Sequence, residues 1–531
     1  MPELLTLVCS FLEIKDCAAC LLLFRHTFTS VAAIVWEDVD FKSVLLLIPG
    51  VQATTTIEKR YPRLTFRLPA TVDLARFKVY YSFVKAVSTS APYAITFPEE
   101  WPGDNAQVTL RPLLPNLRSI TINTFGRVPD RYVNWVPRLL TPGLREFKMC
   151  SIPLENSAGE DVADHENAWI DPSKCIELID AISQTCPTIE ILGIFAHEEE
   201  DEEDQTEYNI LCEKVGGLHN LRFLSFGGAS AGETLFRVFA RLPHLKYLSL
   251  VSDHTQTMPY TESLVMLSDD SFPALQHLTF CGVNPTIVTR VYNSPWLFCR
   301  LASAEIIYED LSYDEHESDY LRSAYAMKCF SHGCSHLTDL TIITEGRVGR
   351  FRLYRQFIPI FKQLPLRCLR LCRVDLNPDL EQQDEDEFED MLEQAGLERN
   401  NPPMTWEEFL AALPHLEVLY MNNSFRVWDL VAFADSLPKL RYFALDTIRA
   451  SSESDTFGGA TGPTATQPIV ICCNYPRFKY AAPDPKEILE RARQIHEIWP
   501  NAEFGAHEDT DWAQYMESQL NKAIRALRLK G

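Results

Sequence analysis

An internal repeat constrains the fold of this chain more than any other feature of its sequence. The pattern Pro-x-Leu-x-x-apolar-x-apolar occupies residues 115–122 and returns at 243–250, 273–280, 414–421 and 438–445. We call the first apolar residue of each copy, such as Leu117 or Leu245, the anchor. Looser copies, which keep apolar residues three and five places after the anchor, start at Leu144, Ile189, Leu221, Leu301, Leu337 and Leu366. Because side chains alternate along a strand, each copy predicts one β-strand with a buried face.

Segments with helical spacing lie between the copies, at residues 173–186, 233–242, 354–364 and 427–437. Strands alternating with helices predict an α/β fold, a leucine-rich-repeat solenoid with a curved parallel sheet, over residues 111–531. Near its end we expect an amphipathic helix over residues 484–499 and a capping helix over residues 512–529. The core-facing stripe of the first of these helices is Ile488, Leu489, Ala492, Ile495 and Ile498. Residues 46–110 are predicted to be an irregular connecting region that contains the first atypical repeats.

The first 45 residues have a different pattern, which predicts three short helices. Leu4, Leu5, Val8 and Leu12 fall on one helical face, and Pro2 stands where a first helical turn tolerates proline. Helices as short as these bury little apolar surface by themselves. The segment is therefore expected to bind a partner.

In order and spacing this segment resembles an F-box, and with the repeats it is similar to fungal F-box proteins that continue into leucine-rich repeats. The resemblance rests on Met1-Pro2-Glu3-Leu4-Leu5, Val8, Ser10-Phe11-Leu12, Asp16, Ala18-Ala19-Cys20, Leu22-Leu23, Arg25 and Trp36. Phe24 and Thr27 depart from the usual residues, so adaptor affinity weaker than typical is expected.

The resemblance implies the target-recognition subunit of an SCF-type cullin-RING ubiquitin ligase. A Skp-type adaptor would bind the F-box and link it to a cullin scaffold, while the repeats would hold a target protein. The residues expected to contact the adaptor are Pro2, Leu4, Leu5, Val8, Leu12, Leu22 and Trp36. The alternative is a leucine-rich-repeat interaction scaffold without a ligase role, in which the N-terminal helices only cap the array.

Charge and hydropathy narrow the class of partner. The net charge of −24 argues against nucleic acid or an anionic membrane as the main partner, although local basic patches are compatible with it. Apolar runs are shorter than the roughly 20 residues of a membrane helix, and Glu3 stands where a secretory signal has a positive charge. We therefore expect a cytoplasmic or nuclear protein with reduced cysteines.

Two motifs suggest chemistry, and both are weaker than the repeat. Residues 228–232, Gly-Ala-Ser-Ala-Gly, match the nucleophile elbow of serine hydrolases around Ser230, but the preceding strand belongs to the repeat. Cys329, His332, Cys334 and His336 are close in sequence, as are Cys368 and Cys372, without an established zinc spacing. We expect no catalytic activity, metal or cofactor.

The target is expected on the concave face of the sheet. The residue two places after an anchor must point away from the core, which selects Ile191, Phe223, Tyr247 and His277. Ser225, Ser249 and Thr279 flank them and leave room for a ligand chain. Aromatic anchors of this kind are typical of binding hot spots, although strands also favour aromatics for packing alone.

Overall fold

A computed structural model describes most of the chain. The chain divides into two compact units, Met1–Leu275 and Gln276–Gly531. The described residues are 9, 12, 16, 28–58, 61–69, 73–89, 93–96, 113–124, 133–151, 169–197, 202–228, 233–252, 268, 270–282, 297, 300–308, 327, 330, 334–344, 351–353, 355–371, 374–375, 405–426, 429–449, 467–473, 485–505 and 511–528. Among these residues, no helix is both long and apolar enough to span a bilayer.

The first unit is built on a parallel sheet whose strands neighbour one another in the order β1-β4-β6-β7-β8-β9-β10. A smaller sheet, β2-β3-β5, accompanies it. Its elements are α1 Phe28–Val35, β1 Asp38–Asp40, α2 Phe41–Leu45, β2 Gln52–Glu58, β3 Tyr61–Arg67, α3 Phe77–Tyr80, β4 Ala86–Thr89, β5 Tyr93–Thr96, β6 Ser119–Thr124, β7 Glu146–Ser151, α4 Pro172–Thr185, β8 Ile191–Phe195, α5 Glu202–Gly216, β9 Phe223–Gly227, α6 Glu233–Phe239 and β10 Tyr247–Val251.

The second unit repeats this plan with the strand order β11-β12-β13-β15-β17-β18-β19-β20 and a short pair, β14-β16. Its elements are β11 His277–Cys281, β12 Ser303–Tyr308, β13 Asp339–Thr344, β14 Phe351–Arg352, α7 Ile358–Gln363, β15 Cys368–Leu371, β16 Val374–Asp375, α8 Trp406–Ala411, β17 Val418–Arg426, α9 Asp429–Ser436, β18 Tyr442–Arg449, β19 Ile469–Cys473, α10 Pro485–Ile498, β20 Ala502–Gly505 and α11 Asp511–Arg528.

The predicted repeat register is confirmed in both units. Every predicted anchor is at most 1% exposed, and the residues three and five places later are at most 3% exposed. The rows align across strands, as Leu192 with Leu224 and Leu224 with Leu248 show. One strand per copy, all parallel and in sequence order, is the leucine-rich-repeat arrangement.

Helices cover the face of the sheet that carries these apolar rows. Phe226, five places after its anchor, has its ring centroid 5.5 Å from that of Tyr208 on α5 and 5.1 Å from that of Phe239 on α6. Helix α4 buries Ile179 and Ile182, and Asp171 caps it by accepting a hydrogen bond of 2.9 Å from the Ser173 amide. The opposite face of the sheet in the first unit, which we call the open face, therefore presents the residues two and four places after each anchor.

Two repeats begin before the first leucine anchor. In β4, Val84 takes the place of the anchor and is 1% exposed, and Val87 pairs in register with Ile120. In β1, Val39 pairs with Val87, which puts Trp36 at the anchor position. The sheet thus starts within residues 1–45, the range predicted for the helical N-terminal module. The predicted domain boundaries at residues 45 and 110 remain predictions.

The predicted helices near the end are confirmed, with one correction. In α10, Ala492, Ile495 and Ile498 are buried as expected, but Leu489 is 52% exposed. The expectation for Leu489 was wrong because this residue stands about 2.5 helical turns before Ile498 and therefore on the opposite side of the helix from it. The side chain of Ile488 lies outside the described part of the helix. In α11, Leu520 and Ile524 face the core.

Candidate functional site: the open face of the first unit

Three of the predicted target-binding residues stand side by side on the open face. Ile191 pairs in register with Phe223, and Phe223 pairs with Tyr247. The rings of Phe223 and Tyr247 have centroids 5.8 Å apart, and Tyr247 is 40% exposed. An aromatic pair on neighbouring strands, partly open to solvent, is the composition expected of a binding hot spot.

Sequence reasoning missed Lys148, which completes this group. Its ammonium lies 5.6 Å from the centroid of the Phe223 ring, although it belongs to β7, two strands away. The strand between them carries Gly193 at this position, and a Cβ there would lie 3.6 Å from Cγ of Lys148. The lysine side chain therefore passes over the one position of β8 on this face, Gly193, that presents only backbone.

The charge of Lys148 is compensated within its own strand. Its ammonium lies 2.6 Å from a carboxylate oxygen of Glu146. Contact with the face of an aromatic ring adds on the order of 0.5–1 kcal/mol at exposed sites. Lys148 thus contributes an oriented cationic edge to the aromatic pair.

His277, the fourth predicted residue, belongs to the second unit. It pairs in register with Ser303, and burial lowers the pKa of its imidazole while the charge of Asp339 partly opposes that shift. The neighbouring Thr279 donates a hydrogen bond of 3.2 Å to Glu305. Its surroundings are therefore polar, unlike those of Phe223 and Tyr247.

A second aromatic group in the second unit was also missed. Tyr420 and Tyr442 have centroids 5.2 Å apart, and the guanidinium carbon of Arg370 lies 4.9 Å from the Tyr420 ring centroid. Burial, followed by hydrogen bonds with Cys472 and Tyr420, raises the pKa of the Tyr442 hydroxyl. Tyr442 stands two places after the anchor Leu440, so extending the same spacing rule to every repeat would have found it.

The described part of the N-terminal module places two predicted adaptor contacts. Leu12 is 40% exposed, and its amide donates a hydrogen bond of 3.1 Å to the carbonyl of Cys9, which packs with Val31. Trp36 is half-buried, with its ring centroid 4.6 Å from that of Tyr80. The other predicted contacts, Pro2, Leu4, Leu5, Val8 and Leu22, lie outside the described residues.

The two chemical motifs lie mostly outside the described residues as well. The motif residues that the structure does not describe include Ser230, Cys329, His332 and Cys372. Gly228, the first residue of the elbow motif, is described, and its φ is +137°. Its carbonyl accepts a hydrogen bond of 2.7 Å from the Tyr208 hydroxyl, and a Cβ at Gly228 would lie 2.1 Å from the Tyr208 ring. Packing against Tyr208 therefore accounts for a glycine at this position.

Cys334 and Cys368 have structural surroundings. Cys334 is buried, and its carbonyl accepts a hydrogen bond from the amide of the anchor Leu337. Burial, with a smaller contribution from Asp339, raises the pKa of the Cys368 thiol to about 11, while Arg370 opposes the shift. The Cys368 side chain is therefore a neutral thiol at physiological pH.

Comparison with known proteins found similarity only among solved structures. No family model and no curated protein matches the chain. A chain of the mouse RP105/MD-1 complex has a TM-score of 0.32 and 12% identity, covering 73% of this chain and 55% of that one. A chain of the Drosophila Toll–Spatzle complex has a TM-score of 0.20 and 11% identity, covering 77% and 63%. A Bacteroides fragilis protein has a TM-score of 0.21 and 14% identity, covering 64% and 61%.

This chain thus spans less than two thirds of the length of those three chains. The register and burial of the strands establish the repeat fold independently of them.

Proposed function

We propose that this protein is the target-recognition subunit of an SCF-type cullin-RING ubiquitin ligase. The N-terminal module would bind a Skp-type adaptor, and the open face of the first unit would hold the target protein. The observation that carries the recognition half is the partly exposed pair Phe223 and Tyr247 on neighbouring strands of the sheet. The adaptor half is supported by the F-box resemblance and by the exposure of Leu12.

The mechanism is proximity, and the chain contributes no catalytic residue. Holding a target lysine beside an activated ubiquitin thioester raises its effective concentration, which for well-placed groups is worth several orders of magnitude in rate. A repeat array suits this role because its strands fix the recognition residues relative to one another.

A second candidate function is an interaction scaffold without a ligase role. The observation that favours it is the position of Trp36, which aligns with the anchor residues and packs on Tyr80. In that case the N-terminal module only closes the end of the sheet, and the open face binds its partner alone.

Adaptor binding separates the two candidates. We expect Leu5→Asp with Val8→Asp to reduce co-purification with a Skp-type adaptor more than tenfold, because charges would enter a desolvated apolar contact at a cost of several kcal/mol (on the order of 2–7). The single change Leu12→Asp should act in the same direction. Leu489→Asp is the matched control, since Leu489 is exposed on the last part of the array.

The ligase function is rejected in favour of the scaffold function if the wild-type protein fails to bind the adaptor. It is also rejected if the double variant binds the adaptor as well as the wild type does. Thermal unfolding of each variant distinguishes lost contact from lost folding. Adaptor binding that is retained by Leu489→Asp and lost by the double variant supports the ligase function.

A further inference from the structure

A row of charged residues borders the open face at the start of its strands. These residues, which follow each anchor position directly and which we call the edge row, are Glu37, Lys85, Arg118, Arg145, Glu190, Arg222 and Lys246. From Arg118 to Lys246 the row is basic at every strand except the one preceded by Glu190. Such a run is unexpected in a chain whose net charge is −24.

The backbone holds the edge row at fixed spacing. The carbonyl of Arg118 accepts hydrogen bonds from the amides of Arg145 and Glu146, at 2.8 and 3.0 Å. The same double acceptance recurs from strand to strand, and at the far end of the row the carbonyl of Arg222 accepts from Lys246 and Tyr247 at 2.8 and 3.0 Å. With strands about 4.8 Å apart, the row from Arg118 to Lys246 is about 19 Å long.

The positive charge of this row is only partly neutralised. Glu190 lies 3.6 Å from both Arg145 and Arg222, so one carboxylate is shared by two guanidinium groups. Among the described residues, Arg118 and Lys246 form no ion pair, and both are exposed. At β1 the balance is reversed, because Glu37 pairs with Lys85 at 2.9 Å and is followed by Asp38.

The basic row and the aromatic pair are contiguous. Arg222 directly precedes Phe223, and Lys246 directly precedes Tyr247, so the basic row and the aromatic pair occupy consecutive positions of the same strands. A ligand that lies across these strands meets aromatic surface on the sheet and positive charge along its border. Charge complementarity of this kind sets which partners bind and how fast they associate.

We propose that the edge row from Arg118 to Lys246 binds an acidic, extended segment of the target protein. Its Asp and Glu side chains would pair with Arg118, Arg145, Arg222 and Lys246, and an apolar side chain would pack on Phe223 and Tyr247. About six extended residues span the row at about 3.3 Å per residue. The proposal rests on the proposed function, since it names the class of target that the open face recognises.

A peptide is favoured over nucleic acid because the positive row is short and the rest of the chain would repel a long polyanion. The row also ends in acidic residues at β1, which limits the length of anion that it can accept. Carboxylate groups held by Arg in this way form charge-assisted hydrogen bonds, which are stronger than neutral ones.

The test uses the full chain and synthetic ten-residue peptides. The probe alternates Glu and Asp around a central Phe, and its control replaces every acidic residue with Gln or Asn. We expect the acidic peptide to bind at least tenfold more tightly at low salt, and its affinity to fall as salt screens the exposed charges. Equal binding of the two peptides would overturn the proposal, and so would tighter binding of the Gln/Asn control peptide once it carries a single phosphoserine as its source of negative charge.

Charge-removal variants locate the binding site. Arg118→Gln with Lys246→Gln should weaken the acidic peptide about fivefold to tenfold, as expected for two exposed ion pairs. Lys174→Gln with Arg237→Gln removes the same charge from helices α4 and α6 and should leave its affinity unchanged. An equal loss in both double variants would mean non-specific attraction and would refute the site.

The outcome is separable from that of the proposed function. If the adaptor co-purifies but the acidic peptide does not bind, the edge-row proposal is rejected and the ligase function is retained. If the acidic peptide binds but the adaptor does not, the ligase function is rejected and the edge-row proposal is retained.

Discussion

The two faces of the sheet in the first unit follow opposite rules. On the helix-covered face, position after position is a buried aliphatic or aromatic residue, such as Leu224 beside Leu248. On the open face, the row two places after the anchors is chemically varied: Asp38, Ala86, Ser119, Glu146, Ile191, Phe223 and Tyr247. The uniform face fixes the fold, and the variable face leaves each strand free to contribute a different contact. Substitutions on the open face should therefore alter target binding while changing the free energy of unfolding only slightly.

Truncating neighbouring residues of β10 measures this difference most strongly. Leu248→Ala should reduce the free energy of unfolding by about 2–5 kcal/mol, because it leaves a cavity in the repeat core. Tyr247→Ala, one residue away on the open face, should cost less than about 1 kcal/mol, since the ring is 40% exposed. Urea titration of both variants gives the comparison, and equal losses would contradict the assignment of the two faces.

Two glycines allow a smaller change in stability to be measured. Gly228→Ala should destabilise the protein by about 1–3 kcal/mol, because φ is +137° and the new Cβ would lie 2.1 Å from the Tyr208 ring. Gly193→Ala is the control on the open face, where the nearest atom to the new Cβ is 3.5 Å away. Thermal unfolding should place Gly193→Ala close to wild type. A Gly228→Ala variant as stable as Gly193→Ala would contradict this expectation, because it would mean that the Tyr208 ring can move aside without loss of stability.

The smallest effect concerns pH and the second unit. Because burial lowers the pKa of His277, the unfolded chain binds the proton more readily than the folded chain does. Stability should therefore be unaffected by this residue above about pH 6.5 and should fall as pH drops below that value. His277→Gln should flatten this part of the pH profile of the unfolding midpoint. His244→Gln, at an exposed turn, is the control, and identical profiles for wild type and His277→Gln would refute the expectation.

The buried rows could be predicted from the sequence because apolar residues that recur at this fixed spacing are typical of repeated strands with one buried face. The anchors Leu117 and Leu440 and the residues that follow them are buried as that spacing requires. The repeat anchored at Val84 lies where the first atypical repeats were expected, whereas the one at Trp36 was missed because that residue was assigned to the helical N-terminal module. The sheet β2-β3-β5 was missed because the described side chains of β2, such as Thr54 and Thr55, are exposed and mostly polar, so this part of the strand carries no apolar alternation.

The open face was only partly predictable from sequence. Spacing alone selected Phe223 and Tyr247, and their register follows from the repeat. The approach of Lys148 to Phe223 depends on Gly193 in a third strand, and no local pattern encodes a contact across strands. The edge row was overlooked because the net charge of −24 drew attention away from basic residues, although the same spacing rule, read one place after each anchor, selects Arg118, Arg145, Arg222 and Lys246.

The proposed division of labour is that the open face of the first unit binds the target while the buried rows stabilise the fold. Affinity purification with the proteasome blocked tests it, comparing wild type with Phe223→Ala plus Tyr247→Ala. Ile210→Ala plus Leu489→Ala is the matched control, because it removes two exposed apolar side chains from helices instead. We predict that the open-face variant loses its non-adaptor partners, keeps the adaptor and unfolds at nearly the wild-type temperature, while the control keeps every partner. A folded open-face variant that retains the full set of partners would contradict the account.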